Sequence, residues 1–149
     1  MPTVLITGAN RGLGLEFTRQ YAAEGWRVHA CCRHPDKAKD LKAIEGEVVR
    51  HKLDVTDGLQ VAGLSRELAD EAIDLLINNA GVYGEHKTFQ DTDLDEWLEV
   101  LAINTVAPFR MARRFADHVA RGERKVIANV SSGLGSIAMN DDGGSYPYR

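Results

Sequence analysis

"TGANRGLG", residues 7–14, decides how this chain folds. It continues "TVLIT" (3–7), an apolar, β-branched run of the kind that forms a parallel strand buried on both faces. It leads into a helical pattern in which Leu13, Phe17 and Tyr21 recur every four residues. Gly8, Gly12 and Gly14 therefore fall on a turn from strand to helix. Glycines there let the backbone turn tightly and approach a pyrophosphate, while the helix beginning near Gly14 offers unpaired N–H groups and the positive end of its dipole. The spacing is Gly-x3-Gly-x-Gly, preceded by Thr7, rather than Gly-x-Gly-x2-Gly. A tight strand–helix turn that binds nothing is the competing reading, and the flanking pattern disfavours it.

Four more short apolar runs follow: "RVHACC" (27–32), "VVRHKL" (48–53), "DLLIN" (74–78) and "KVIANV" (125–130). Helical patterns separate them. Leu94, Leu98 and Leu101 keep a helical rhythm that Phe109, Ala112, Ala116 and Val119 continue, and Pro108 is expected to kink the segment 92–120. Strands and helices alternating in this way imply right-handed βαβ units and an α/β, doubly wound parallel sheet. No linker or low-complexity tract interrupts the pattern, so residues 1–149 read as a single domain, with "NDDGGS" (140–145) a loop inside it.

Composition narrows the function classes. A hydrophobic share of 44% and a charged share of 27% over 149 residues suit one compact soluble domain. The net charge of −4 argues against a nucleic-acid partner. Cys31 and Cys32 are neighbours on a strand and point to opposite faces, so they are not expected to bridge. The start, "MPTVLITG", has neither a basic region nor a long apolar run, which implies a cytoplasmic protein without a membrane partner. Histidines 29, 34, 51, 86 and 118 are scattered, none at metal-ligand spacing, and no metal is expected.

With these motifs in order, the chain resembles the short-chain dehydrogenases/reductases. Thr-Gly-x3-Gly-x-Gly opens the first βα turn, "NNAG" (78–81) follows the fourth strand, "IN" (103–104) falls in the long helix, "NVSS" (129–132) ends the fifth strand, and "YPYR" (146–149) comes after a loop. The resemblance covers essentially the whole chain and implies a Rossmann sheet. The family's hallmark is Tyr-x3-Lys. With Tyr148 as its tyrosine, the lysine falls beyond Arg149, so the chain is expected to be an N-terminal part, truncated after the fifth strand and inactive by itself. Two residues are too few to hold a helical turn, and Tyr148 is expected to be loosely held.

The resemblance further implies hydride transfer between NADP(H) and a small carbonyl or alcohol substrate. Tyr148 would be the general acid, its ordinary pKa near ~10 lowered by the lysine. Ser132 would hydrogen-bond the substrate oxygen and Asn104 would anchor a relay water; Ser131 and Tyr146 remain the rival serine and tyrosine. Gly8, Asn10, Arg11, Gly12, Leu13 and Gly14 would form the phosphate loop. Cys32 stands where NAD-dependent members place an acid, and Arg33 beside it can pair bidentately with a 2′-phosphate, as can Arg11, which selects NADP. Asp54 and Val55 match adenine contacts, although the residues alone equally suit a turn or helix-cap aspartate. Asn79, Ala80 and Gly81 would border the nicotinamide-side ribose, while Asn78 ties neighbouring strands. "YPYR" and its loop resemble the branch near intercellular-signalling C-factor proteins. A homo-oligomer is implied for the full-length protein. The alternative from another class is a non-catalytic NAD(P)-binding regulator or sensor. A methyltransferase on a similar sheet has no reason to carry NNAG, Ser and Tyr in this order.

Overall fold

A computed structural model describes residues 1–85 and 88–149; His86 lies outside the described residues. All five apolar runs form strands: β1 Thr3–Thr7, β2 Arg27–Cys32, β3 Val48–Lys52, β4 Leu75–Asn78 and β5 Val126–Asn129. Every pairing is parallel, in the order β3-β2-β1-β4-β5. The helices are α1 Gly12–Ala23, α2 Lys39–Lys42, α3 Gly58–Glu67, α4 Leu94–Leu101 and α5 Ala107–Arg121. After β1 the chain builds outward through β2 and β3, then returns to place β4 on the other side of β1. The loops leaving β1 and β4 consequently diverge, and a crevice opens at the carboxyl ends of these two strands.

Strand alternation divides the core. Leu5 of β1 packs with Leu76, Met111 and Phe115 in the layer of α3 and α5. Val4 and Ile6 pack with Trp26, Val28 and Ala30 in the layer of α1. Cys31 and Cys32 fall into opposite layers, both buried and both free thiols. At the opposite end of the sheet from the crevice, buried Asp74 accepts from the backbone N–H groups of Thr3 (2.8 Å), Glu123 (2.8 Å) and Arg124 (3.2 Å). One carboxylate thus fixes the starts of β1 and β5. Burial alone would raise its pKa, but the three donors together hold it below the ordinary carboxylate value.

Two helix faces differ from the sequence reading. Leu13 is 60% exposed, whereas Phe17 and Tyr21 pack half-buried against the α1-side core. The fully buried positions of α1 are Gly14, Thr18 and Ala22, small residues that let the helix lie close to the sheet. Leu94, Leu98 and Phe109 are also exposed, whereas Val100, Ala107, Met111, Phe115 and Val119 are buried. Between α4 and α5 a π-helical turn over Ala102–Val106 inserts one residue relative to regular helix, so the two helices do not share one apolar stripe. Pro108 is not the break: it occupies the first turn of α5, where its missing N–H costs little.

Val126, Ile127 and Val130 are partly exposed, because β5 has no further strand beside it among the described residues. Below it, on the α1 side, an apolar groove of about 400 Å³ is lined by Phe17, Tyr21, Trp26, Ile77, Val126 and Val130. None of the helices in the described residues is long and apolar enough to cross a membrane.

Between β2, β3 and α3 lies a buried imidazole pair. His29 Nδ1 is 2.9 Å from His51 Nε2, and His51 Nδ1 is 3.2 Å from a Glu67 carboxylate oxygen. A carboxylate only accepts, so His51 donates from Nδ1 and accepts at Nε2, and His29 donates from Nδ1. His29 Nε2 is then a buried lone pair without a partner. A proton added there has no acceptor, and burial together with the neighbouring His51 pushes the His29 pKa down to about 4. Burial also lowers His51, opposed by Glu67. Unfolded histidine titrates near ~6.5, so stability is full above that value and falls as the pH drops toward 4, by up to roughly 3 kcal/mol for His29. Urea denaturation at steps between pH 7.5 and 4.5 is expected to show this fall, and His29→Gln is expected to flatten it. Asp74 acts in a lower window, below its ordinary value of 3.8.

Candidate functional site

The crevice is organised around Thr7. Its hydroxyl oxygen accepts from the backbone N–H groups of Asn79 and Ala80, each at 3.0 Å, and donates to Ile77 O at 3.4 Å. Asn79 returns the contact, with Nδ2 donating to Thr7 O (3.0 Å) and Gly8 O (3.3 Å). The loops after β1 and β4 are thereby laid one upon the other. That close approach explains two glycines. A Cβ on Gly8, which also has φ +67°, would sit 2.9 Å from Ala80 Cα. A Cβ on Gly14 would overlap Gly8 O and lie 2.5 Å from Asn79 Nδ2. Gly12, φ +54°, starts α1, and Arg11 before it caps the helix with no side-chain hydrogen bond. The N–H groups of the first turn are therefore open to a ligand beside exposed Asn10, Arg11, Gly12 and Leu13.

At the tip of β2, Cys32 is buried and Arg33 is exposed. Burial pushes the Cys32 thiol up, against the His34 N–H and with Asp36, so the position where an acid was considered is neutral. Among the described residues no side-chain hydrogen bond holds Arg11 or Arg33. Asp36 lies on the turn after Pro35. Asp54 takes Thr56 N (2.9 Å) and Thr56 Oγ1 (2.6 Å) on one carboxylate oxygen, making it a turn aspartate; Asp57 is the cap of α3. The Thr56 hydroxyl is the main reason the Asp54 carboxyl is held low, and Arg33 adds to it.

On the other side of the crevice, Asn78 donates to Asn129 Oδ1 (2.9 Å) and Pro108 O (3.3 Å), tying β4 to β5 and α5. Asn104 lies in the π turn. Its amide accepts from Val82 N (2.9 Å) and donates to Val82 O (2.7 Å), so the side chain grips the loop after β4. Ser132 Oγ accepts from Leu134 N at 3.2 Å, which leaves its O–H free to donate. Tyr148 differs from the expectation of a loosely held residue. Tyr148 N and Arg149 N both donate to Ser145 O, closing a turn. The Tyr148 ring packs 4.7 Å from the ring of Tyr83, whose hydroxyl is 2.8 Å from Ser145 Oγ. Tyr146 instead meets Phe89, edge to face at 6.1 Å. Arg149 Nε turns back to Gly144 O, away from Tyr148.

The loop 79–83 is thus the shared platform: Thr7 and Asn79 hold one end, Asn104 its middle, and Tyr83 meets Tyr148. Ser132 has no hydrogen bond to Tyr148 or Asn104 among the described residues. Sequence reasoning gave Thr7 and Tyr83 no role, although both flank motifs it quoted. Asn79, expected with Ala80 and Gly81 to border a ribose, has its side-chain amide bonded to the carbonyls of Thr7 and Gly8.

The chain matches the short chain dehydrogenase family over residues 2–146 and belongs to that family. It is 30% identical to protein FixR of Bradyrhizobium diazoefficiens, over 96% of this chain and 54% of that protein. It is 38% identical to C-signal of Myxococcus xanthus over 52% of this chain and 46% of that protein. Among solved structures, a carbonyl reductase from Pseudomonas aeruginosa in complex with NADP superposes with a TM-score of 0.89 at 29% identity, over 99% of this chain and 69% of that one. The chain spans about half the length of these curated relatives.

Thr7→Val keeps the volume and removes the acceptor for two N–H groups. It is expected to cost about 2–3 kcal/mol in urea denaturation, as leaving buried donors unpaired does. Gly14→Ala, which drives a methyl into the Gly8 carbonyl, is expected to cost at least as much.

Proposed function

We propose that this chain holds the dinucleotide and part of the catalytic apparatus of an NADP(H)-dependent reductase acting on small carbonyl compounds. The observation that carries the reading is the order of groups across the crevice. The open N-terminus of α1, with Arg11 as its cap, lies between Arg33 at the end of β2 and the 79–83 platform with Tyr148 beyond β4. A pyrophosphate fits the first, a 2′-phosphate the second, and a nicotinamide ribose beside Ala80 and Gly81 the third. The NADP complex of the similar carbonyl reductase supports this cofactor.

When bound, the dinucleotide supplies the hydride. The chain's residues do the rest. Negative charge developing on the substrate oxygen is met by the free O–H of Ser132 and by proton donation from Tyr148. The Asn104 amide is committed to Val82, so its share in a proton relay falls to its main-chain carbonyl, to which Pro108, four residues on, brings no N–H. Asp54 and the Val55 N–H would hold the adenine end. Tyr148, seated on the platform, is preferred to Tyr146 as the acid. Among the described residues no lysine or arginine is hydrogen-bonded to its hydroxyl, and Arg149 Nε donates to Gly144 O. Association into a homo-oligomer is part of the same reading, and exposed Leu94 and Leu98 of α4 and Phe109 of α5 are apolar groups it could cover.

Fluorescence titration is expected to show tighter binding of NADPH than NADH. Arg33→Asp should weaken NADPH at least about tenfold, the scale of one charge-assisted contact, and leave NADH little changed. Tighter NADH binding by the unaltered chain would contradict the assignment. Residues 1–149 alone should bind cofactor without useful turnover; in a chain extended to the length of its relatives, turnover with NADPH and a panel of reactive carbonyls should fall about a hundredfold or more in Tyr148→Phe, with cofactor affinity retained. Unchanged turnover would move the role to Tyr146, and NADPH binding without turnover by the extended chain would favour the binding-only alternative.

A further inference from the structure

Arg110 belongs to none of the motifs, yet its contacts are specific. From α5, Nη1 donates to two consecutive main-chain carbonyls, Val55 O at 2.9 Å and Thr56 O at 3.0 Å. The side chain is half-buried. A guanidinium brought out of water onto neutral carbonyls is costly unless the hydrogen bonds are good. It is not needed to seat α5, since Met111 and Phe115 are almost fully buried against the sheet.

The turn that Arg110 grips is otherwise self-contained. Gln60 Oε1 accepts from Asp54 N at 2.9 Å, Asp54 accepts from Thr56, and Asp57 accepts from Leu59 N and Gln60 N. These bonds fix the shape of residues 54–57 and say nothing of where the turn stands against the rest of the fold. Apart from Gln60 of the adjoining α3, Arg110 supplies the only side-chain hydrogen bonds that reach it from another element among the described residues. Arg110 also follows Asn104 by six positions on the same helical segment, and Asn104 holds Val82. One stretch of chain therefore fastens both the turn carrying Asp54 and Val55 and the platform on the far side of β1.

We propose that Arg110 is a positioning residue for the adenine end of the dinucleotide. By pinning the Val55 and Thr56 carbonyls it sets the height of the Asp54 carboxylate and the Val55 N–H, the two groups that meet adenine. The inference rests on the cofactor reading above, and its effect is confined to the adenosine half of the ligand.

The test compares two half-cofactors: 2′,5′-ADP, which carries the adenosine end, and reduced nicotinamide mononucleotide, which lacks it. Both are titrated against the unaltered protein, Arg110→Met and Arg110→Lys. Arg110→Met should raise the Kd for 2′,5′-ADP about tenfold and leave the mononucleotide unchanged. Arg110→Lys, which can still donate to one carbonyl, should lie between. Equal weakening of both ligands would mean a general structural role and would overturn the proposal. So would 2′,5′-ADP binding by Arg110→Met as tight as that of the unaltered protein. Failure of the unaltered protein to bind 2′,5′-ADP at all would overturn the cofactor reading first, and this inference with it.

Discussion

The crevice depends on the hydroxyl of Thr7. Two parallel strands that end side by side leave backbone N–H groups with nothing opposite, and burying such donors unpaired is expensive. Thr7 Oγ1 takes two of them, from Asn79 and Ala80, and the Asn79 amide takes the carbonyls of Thr7 and Gly8 in return. Once the two loops lie this close, residues 8 and 14 must be glycine, for reasons of space as much as of backbone angle. The position of α1 follows, and with it the direction in which its open N–H groups point.

A division of labour runs through the site. The polar side chains of the motifs are largely spent on main chain: Asn79 on Thr7 and Gly8, Asn104 on Val82, Asp54 on Thr56, Asn78 on Pro108. What stays open to a ligand is backbone N–H at the start of α1, two exposed guanidiniums and the hydroxyl of Ser132. A frame of side-chain-to-backbone bonds fixes the loops that carry these groups, which spares a ligand the work of ordering them.

β1 and β4 were legible in the sequence because a parallel strand covered on both faces must be apolar almost throughout, and the edge strands β3 and β5, largely exposed, because short β-branched runs have few other uses. The glycine loop and NNAG were legible for a similar reason, being local and sterically demanding. Helix faces were less so. Which side of α1 meets the sheet depends on how near it comes, and Leu13 and Leu98 have the periodicity of core residues while lying outside. The π turn left no mark that composition could show. Least legible were bonds such as that of Arg110 to Val55, fifty-five positions apart, where neither residue is unusual in its own neighbourhood. The histidine pair escaped for the same reason, since His29 and His51 become neighbours only through the pairing of β2 with β3.

The extra residue in the turn over Ala102–Val106 also limits how this segment tolerates changes in length. Deleting one residue there would restore a regular helix and remove what looks like a defect. It would also rotate everything downstream by about 100° relative to everything upstream. Val100 and Asn104 on one side, and Met111, Phe115 and His118 on the other, could then no longer face their partners together. The irregular turn acts as a gear between two helical registers, one set by the platform and the other by the core, and a chain of this fold can shorten its loops far more easily than this helix.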